Sequence, residues 1–216
     1  MTILNIETST TCCSAAITID GKPVASVEQL LHEANANGWH LDAVALSQGP
    51  GSYTGLRIGA STAKGICYGL NIPLIPVDTL QVLCASVPSG MLPDNALLCP
   101  MLDARRMEVY TALYQQVGKQ LSSISEAQAM IIDADAFAQT LAQQPVYFFG
   151  NGAAKCQSVI THPNAHFVDN VVPQAQCMGQ LAERQHNSLD VKQMAYHEPF
   201  YLKEFVAAPS HIKGLK

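Results

Sequence analysis

The sequence predicts an α/β layer protein with a mixed sheet, built twice over. Three observations carry that prediction. An antiparallel opening over residues 3–27 gives way to alternating strand and helix. Ser47 to Leu70, SQGPGSYTGLRIGASTAKGICYGL, joins a strand end, a glycine-rich turn and a small-residue helix. The same strand-then-helix order resumes after Ala96, although no residue-level repeat is visible. With 216 residues, 48% of them hydrophobic, the chain can bury a sizeable core.

Ile3 to Ile6 reads as a short strand entering a polar turn, Glu7-Thr-Ser-Thr-Thr11, of the kind that can cradle phosphate. Cys13 to Ile19 and Lys22 to Val27 read as the next two strands, joined at Asp20-Gly21. Only Glu28 to His40 then remains to reach a strand at Leu41 to Ser47, which is short for a crossover; Leu30, Leu31 and Ala34 suggest a turn or two of helix ended by Asn37-Gly38, before the lone Trp39. Gly49-Pro50-Gly51 must turn, and Thr54 or Ser52 caps the following helix. In that helix Gly55, Gly59 and Ala63 recur every fourth residue. Each glycine costs about 1 kcal/mol against alanine, so a close neighbour must offset them.

Ile72 to Val77 is a strand, Asp78-Thr79 caps a helix over Leu80 to Val87, and Pro88 to Asn95 is a linker. A second unit follows: apolar Leu97 to Leu102, a turn at Asp103-Ala-Arg-Arg106, strand-like Met107 to Tyr114, and an extended Gln120 to Met130. Asp133 or Asp135 is expected to cap a helix through Leu141, and Val146 to Phe149 is a strand ending at Gly150-Asn-Gly152. A helix over Pro173 to Gln185, a polar stretch, Glu198-Pro-Phe-Tyr-Leu-Lys203 and a mobile tail complete the chain. The expected domains are 1–95, 96–190 and a C-terminal segment, 191–216, packing back on the first.

Composition narrows the function. No apolar run reaches the roughly 18 residues of a membrane span, and the start at Met1-Thr-Ile-Leu-Asn is strand-like with no signal region, which suggests the cytoplasm. Seven scattered cysteines without Cys-x-x-Cys, including Cys12-Cys13, read as small core residues. A net charge of −5 with 12 Lys plus Arg leaves little surface for phosphates, so a partner should hold any RNA.

No catalytic motif is complete. Lys64 falls mid-helix with Gly65 after it, the wrong order for a phosphate-binding P-loop, and Gly51-Ser-Tyr-Thr-Gly55 has its serine one position early for a nucleophile elbow. His162 and His166 have the spacing of a metal pair, but Pro163-Asn164 reads as a loop. Glu7 sits where a base or magnesium ligand would, and Asp103 where a nucleotide would be held. Asp103 beside Arg105 and Arg106 also reads, and better, as a tight turn with a local ion pair.

Leu4-Asn-Ile-Glu-Thr-Ser9, Gly49-Pro-Gly-Ser-Tyr-Thr-Gly-Leu-Arg-Ile-Gly59, Asp103-Ala-Arg105 with Glu108-Val-Tyr110, and Glu198-Pro-Phe-Tyr-Leu-Lys203 together resemble the bacterial TsaB (YeaZ) family, end to end. The Gly49 to Gly59 block is the specific part. The resemblance implies the actin-like ATPase and sugar-kinase (ribonuclease H-like) fold with two related lobes. It implies a non-catalytic, activating subunit in tRNA threonylcarbamoyladenosine formation, partnered by a TsaD-like catalytic subunit and a TsaE-like ATPase, with tRNA reached only through the complex. It implies a partner-facing helix surface at Gly55, Leu56, Gly59, Thr62, Ala63 and Ile66, and a homodimer as an option when alone. No metal or cofactor is implied, ATP being expected only at the complex interface. The sister enzyme's histidine pair has no counterpart between Glu28 and His40, where such proteins carry a full amphipathic helix. The competing reading is an independent nucleotide-dependent kinase or ATPase using Glu7, Thr8, Ser9 and Asp103. A peptidase finds no nucleophile–base pair.

Overall fold

The computed structural model describes residues 1–26, 38, 40–117, 120–185 and 187–203. The suggested helical turn at Leu30, Leu31 and Ala34, Trp39, and the tail beyond Lys203 lie outside the described residues.

Two sheets repeat one plan. In the first, β1 (Thr2–Glu7), β2 (Ser14–Ile19), β3 (Lys22–Ser26), β4 (Ala43–Gly49) and β5 (Leu74–Asp78) lie in the order β3-β2-β1-β4-β5. In the second, β6 (Leu97–Asp103), β7 (Glu108–Thr111), β10 (Gln128–Ile131), β11 (Val146–Phe149) and β12 (Ala165–Val168) lie in the order β10-β7-β6-β11-β12. Each has an antiparallel half and a parallel half: β1 runs antiparallel to β2 and parallel to β4, and β6 runs antiparallel to β7 and parallel to β11. The second sheet carries an added hairpin, β8 (Tyr114–Val117) with β9 (Gln120–Ser123), paired to β6. This duplicated mixed α/β architecture is the one expected.

The pleat explains the sequence of β4. Ala43 and Ala45 face one side, where they pack with Ile3, Ile75, Val77 and, from the far end of the chain, Ala175, Met178 and Ala182. Val44 and Leu46 face the other, against Ala60, Ala63 and Cys67 of α1 (Tyr53–Leu70) and Met194. Burial on both faces gives the near-continuous apolar run.

Helices are exchanged between the lobes. Leu80, Leu83 and Cys84 of α2 (Thr79–Ala85), which follows the first sheet, pack on Leu98, Leu102, Tyr114 and Phe149 of the second. A 3₁₀ turn (Ala175–Cys177) and α5 (Gly179–Arg184), which follow the second sheet, pack on the first. The second sheet's other face is covered by α3 (Ala138–Gln143) and α4 (Ala153–Cys156). Last comes α6 (Val191–Tyr196), lying along α1.

Several local expectations give way to tertiary context. Neither Asp133 nor Asp135 caps α3: its N-cap is Phe137 in the left-handed region (φ 61), and the Asp133 carboxylate instead accepts the Asp135 N–H at 3.1 Å. The strand-like Met107 to Tyr114 splits into β7 and β8, and Gln120 to Met130 into β9 and β10. The polar stretch before Glu198 contains α6, opened by a capping box at Asp190 and Gln193. Cys12 and Cys13 are exposed in the turn before β2, whereas Cys67, Cys84, Cys99 and Cys156 are core. Among the described residues, no helix is long and apolar enough to cross a membrane.

Candidate functional site: the interlobe cleft and the outer face of α1

The glycine block is built around a strand end. Gly49 closes β4 at φ 122, a conformation that favours glycine. Ser52 caps α1, its hydroxyl accepting the Gly55 N–H at 3.3 Å, and the Ser52 N–H donates to the Ser9 carbonyl at 2.7 Å. That last bond draws the hydroxyl-rich turn after β1 down onto the block. A Cβ on Gly51 would strike the Ser9 backbone, one on Gly55 the Thr8 carbonyl, and one on Gly59 the Thr8 hydroxyl. The glycines make room for the protein's own turn.

Of the six residues expected on a partner surface, three are buried and two half-buried. Gly59, Ala63 and Leu56 are buried against the first lobe, Gly55 abuts Thr8, and Ile66 packs at the edge of the Val44–Leu46 cluster. Only Thr62 of the six points outward. The outward face runs through Thr54, Ile58, Ser61, Thr62, Gly65, Tyr68 and Gly69, with Ile58 59% and Tyr68 75% exposed. Nothing lies within 4 Å of a Cβ placed on Gly65 or Gly69. The spacing signal for this face was present in the sequence, in Ser61, Gly65 and Gly69, but the inward stripe has the same period and masks it.

The four residues proposed for nucleotide separate. Glu7 is fully buried; Ser9 donates both its N–H (2.6 Å) and its hydroxyl to Glu7 Oε1, while Oε2 has no partner among the described residues. Burial pushes the Glu7 carboxyl up, opposed by hydrogen bonding from Ser47 and from Ser9. Thr8 is buried with its hydroxyl unpartnered. Neither reaches the cleft. Ser9 and Asp103 do, lining an interlobe cavity of about 520 Å³ with Thr10, Thr11, Ser52 and Arg105.

Asp103 is the second-lobe counterpart of Glu7. Glu7 ends β1 and accepts Ser9 N–H; Asp103 ends β6 and accepts Arg105 N–H at 3.0 Å. Gly49-Pro-Gly51 is matched by Gly150-Asn-Gly152, with Gly150 at φ 104 and Asn151 accepting the Asp103 N–H at 3.0 Å. The ion pair expected between Asp103 and the adjacent arginines is instead made with Lys155, whose ammonium also donates to the Glu108 carbonyl at 2.7 Å. Arg105 lines the cleft.

The C-terminal segment closes the cleft's near wall. Phe200 N–H donates to the Gln48 carbonyl at 2.7 Å, the Tyr201 ring packs at a 36° tilt against Tyr53 with centroids 5.0 Å apart, and Lys203 pairs with Glu108 on the other lobe. Among the described residues lining this cleft there is no histidine or cysteine, and its carboxylate, Asp103, is paired with Lys155. His162 is engaged through Nδ1, which accepts the Asn164 N–H at 3.1 Å, and His166 stacks on Tyr147 from β12. Among the described residues, no three His, Cys, Asp or Glu side chains gather into a metal-binding group.

Comparison with known proteins follows the same lines. A family model described as TsaD, tRNA N6-adenosine threonylcarbamoyltransferase, matches residues 24–208. The Bacillus subtilis (strain 168) tRNA threonylcarbamoyladenosine biosynthesis protein TsaB is 32% identical over 74% of this chain and 75% of its own. The Haemophilus influenzae protein of that name is 25% identical over 95% of each chain. A Pseudomonas aeruginosa crystal structure, of an uncharacterized protein with similarity to peptidase YEAZ, superposes with a TM-score of 0.77 at 22% identity, over 94% of this chain and 99% of that one.

Proposed function

The chain belongs to the TsaB (YeaZ) family, and from that premise we propose that it is a non-catalytic, activating subunit in formation of tRNA threonylcarbamoyladenosine in the cytoplasm. In this reading it docks a TsaD-like catalytic subunit through the outer face of α1, a TsaE-like ATPase joins the assembly, and the catalytic partner holds the tRNA. The observation that carries it is the uncovered face itself. Ile58 and Tyr68 are 59% and 75% exposed on one helix, with Gly65 and Gly69 between and beside them offering open space for another helix backbone.

The deciding substitution is Gly65→Leu, which adds bulk only to the outer face. We expect unchanged thermal stability, lost co-purification with the TsaD-like partner, and lost tRNA modification in cells depending on this chain. Retained co-purification overturns the docking face. Gly59→Leu cannot serve, because it strikes Thr8 and damages the fold first.

A second reading, a nucleotide-dependent enzyme in its own right, is favoured only by the cleft with Ser9 and Asp103. Calorimetry with ATP and magnesium on the isolated chain separates the two: turnover without partners sinks the non-catalytic reading.

A further inference from the structure

Cys12 and Cys13 stand apart from the other cysteines of the chain. Both are exposed, whereas Cys67, Cys84, Cys99 and Cys156 are buried and Cys177 is half-buried. Burial pushes each of those other thiols up, Cys67 to about 11 and Cys99 to about 12, which keeps them protonated and slow to react. The two exposed thiols are therefore the reactive ones, and they are neighbours in the chain.

Their placement in the fold is the second observation. Within a strand, consecutive side chains alternate faces and the two thiols would be held apart. Here β2 begins only at Ser14, paired with Glu7 of β1, so both cysteines lie in the turn between the strands. The Thr10 hydroxyl braces that turn, accepting the Cys12 N–H at 3.2 Å and donating to the Cys12 carbonyl at 3.4 Å. Thr10 and Thr11 line the interlobe cavity, so the pair sits beside its wall.

We propose that Cys12 and Cys13 form a reversible dithiol–disulfide site that reacts with low-molecular-weight disulfides of the glutathione type. One cysteine thiolate attacks a sulfur of the small disulfide: a protein–glutathione S–S bond forms, the original S–S bond breaks, and one glutathione leaves with the proton the cysteine gave up. The adjacent thiolate then attacks the modified sulfur, the Cys12–Cys13 bond forms, and the second glutathione leaves. The protein loses two electrons and two protons, and the small disulfide is reduced to two thiols. The Cys12–Cys13 peptide is trans, and its Cα atoms are about 3.8 Å apart, closer than the roughly 4.4–6.8 Å that a disulfide usually spans. The bond therefore closes a strained ring through the pair's own peptide, and strained, exposed disulfides are the readily reduced kind. The site acts as a switch and not as a staple. It uses no group of the α1 docking face and is tested on the chain alone, so either reading can fail without the other.

The full chain is incubated with glutathione disulfide, trapped with N-ethylmaleimide before unfolding, and mapped by peptide mass. The natural chain should end with the Cys12–Cys13 peptide lighter by two hydrogens and carrying no glutathione, and excess reduced glutathione should restore both thiols. Cys12→Ser and Cys13→Ser each remove the resolving thiol, so each variant should instead retain one glutathione on the remaining cysteine. Glutathione retained at both positions of the natural chain would make them two independent surface thiols and overturn the proposal. Absence of reaction overturns it too, as does a disulfide between two chains or equal modification of the buried cysteines.

Discussion

Thr8 meets the glycines of α1 at two atoms of different stiffness, and that difference predicts a graded series. A Cβ at Gly55 lands on the Thr8 backbone carbonyl, which cannot move without the β1 turn; one at Gly59 lands on the Thr8 hydroxyl, which can rotate; one at Gly65 meets nothing. Against the gain of about 1 kcal/mol for alanine in a helix, overpacking costs about 1–3 kcal/mol or more. Denaturant unfolding should therefore rank Gly65→Ala above the natural chain, Gly59→Ala below it, and Gly55→Ala lowest. Glu7 sets a second prediction. Its folded carboxyl titrates above its unfolded value because burial disfavours the charge, so the folded state binds the extra proton between the two. The contribution of Glu7 is full below the unfolded pKa and is lost as pH rises through the folded one. Unfolding measured from pH 4 to pH 8 should show Glu7→Gln gaining stability relative to the natural chain as pH rises; a constant difference would mean that Glu7 is charged in the fold.

At the scale of elements, α1 is specified locally at both ends. Ser52 accepts from Gly55 N–H, and Asn71, in the left-handed region at φ 52, returns its N–H to the Cys67 carbonyl. Ser52→Ala should cost about 1 kcal/mol in denaturant unfolding, as a cap and not as a nucleophile; full retention of partner docking by that variant would agree with the cap role. The same local chemistry was legible for the Asp78 cap of α2, whereas the Asp190–Gln193 box of α6 was passed over within the polar stretch before Glu198. It was not legible at α3, where Asp133 and Asp135 look like caps but the chain begins its helix at Phe137. There, Phe137 packs on Phe148 at 5.4 Å, and core placement of that ring outweighs a capping hydrogen bond.

Across the whole molecule, the two lobes share their cores through exchanged helices, so neither is a self-sufficient unit. Leu83→Ala removes a fully buried side chain of the first lobe from a cluster made mostly by the second. A loss of about 2–5 kcal/mol is expected, with calorimetry retaining one transition; two separated transitions would mean the lobes unfold independently. The sequence by itself determined the order of strands and helices, the turns at Asp20-Gly21 and Gly49-Pro-Gly51, the small-residue stripe and the family resemblance, because each rests on residues close together in the chain. It also exposed the net charge of −5. Only the tertiary structure decided which way the stripe faces. A period of four places Gly55, Gly59 and Ala63 on one face of α1, yet a neighbour's identity is not in the period: the turn at Thr8–Ser9, brought over by parallel pairing of β1 with β4, claims that face and leaves Gly65 and Tyr68 exposed. The cleft rim likewise gathers Tyr53, Arg105 and Lys203 from three distant stretches, which only the closing of two lobes by the C-terminal segment could bring together.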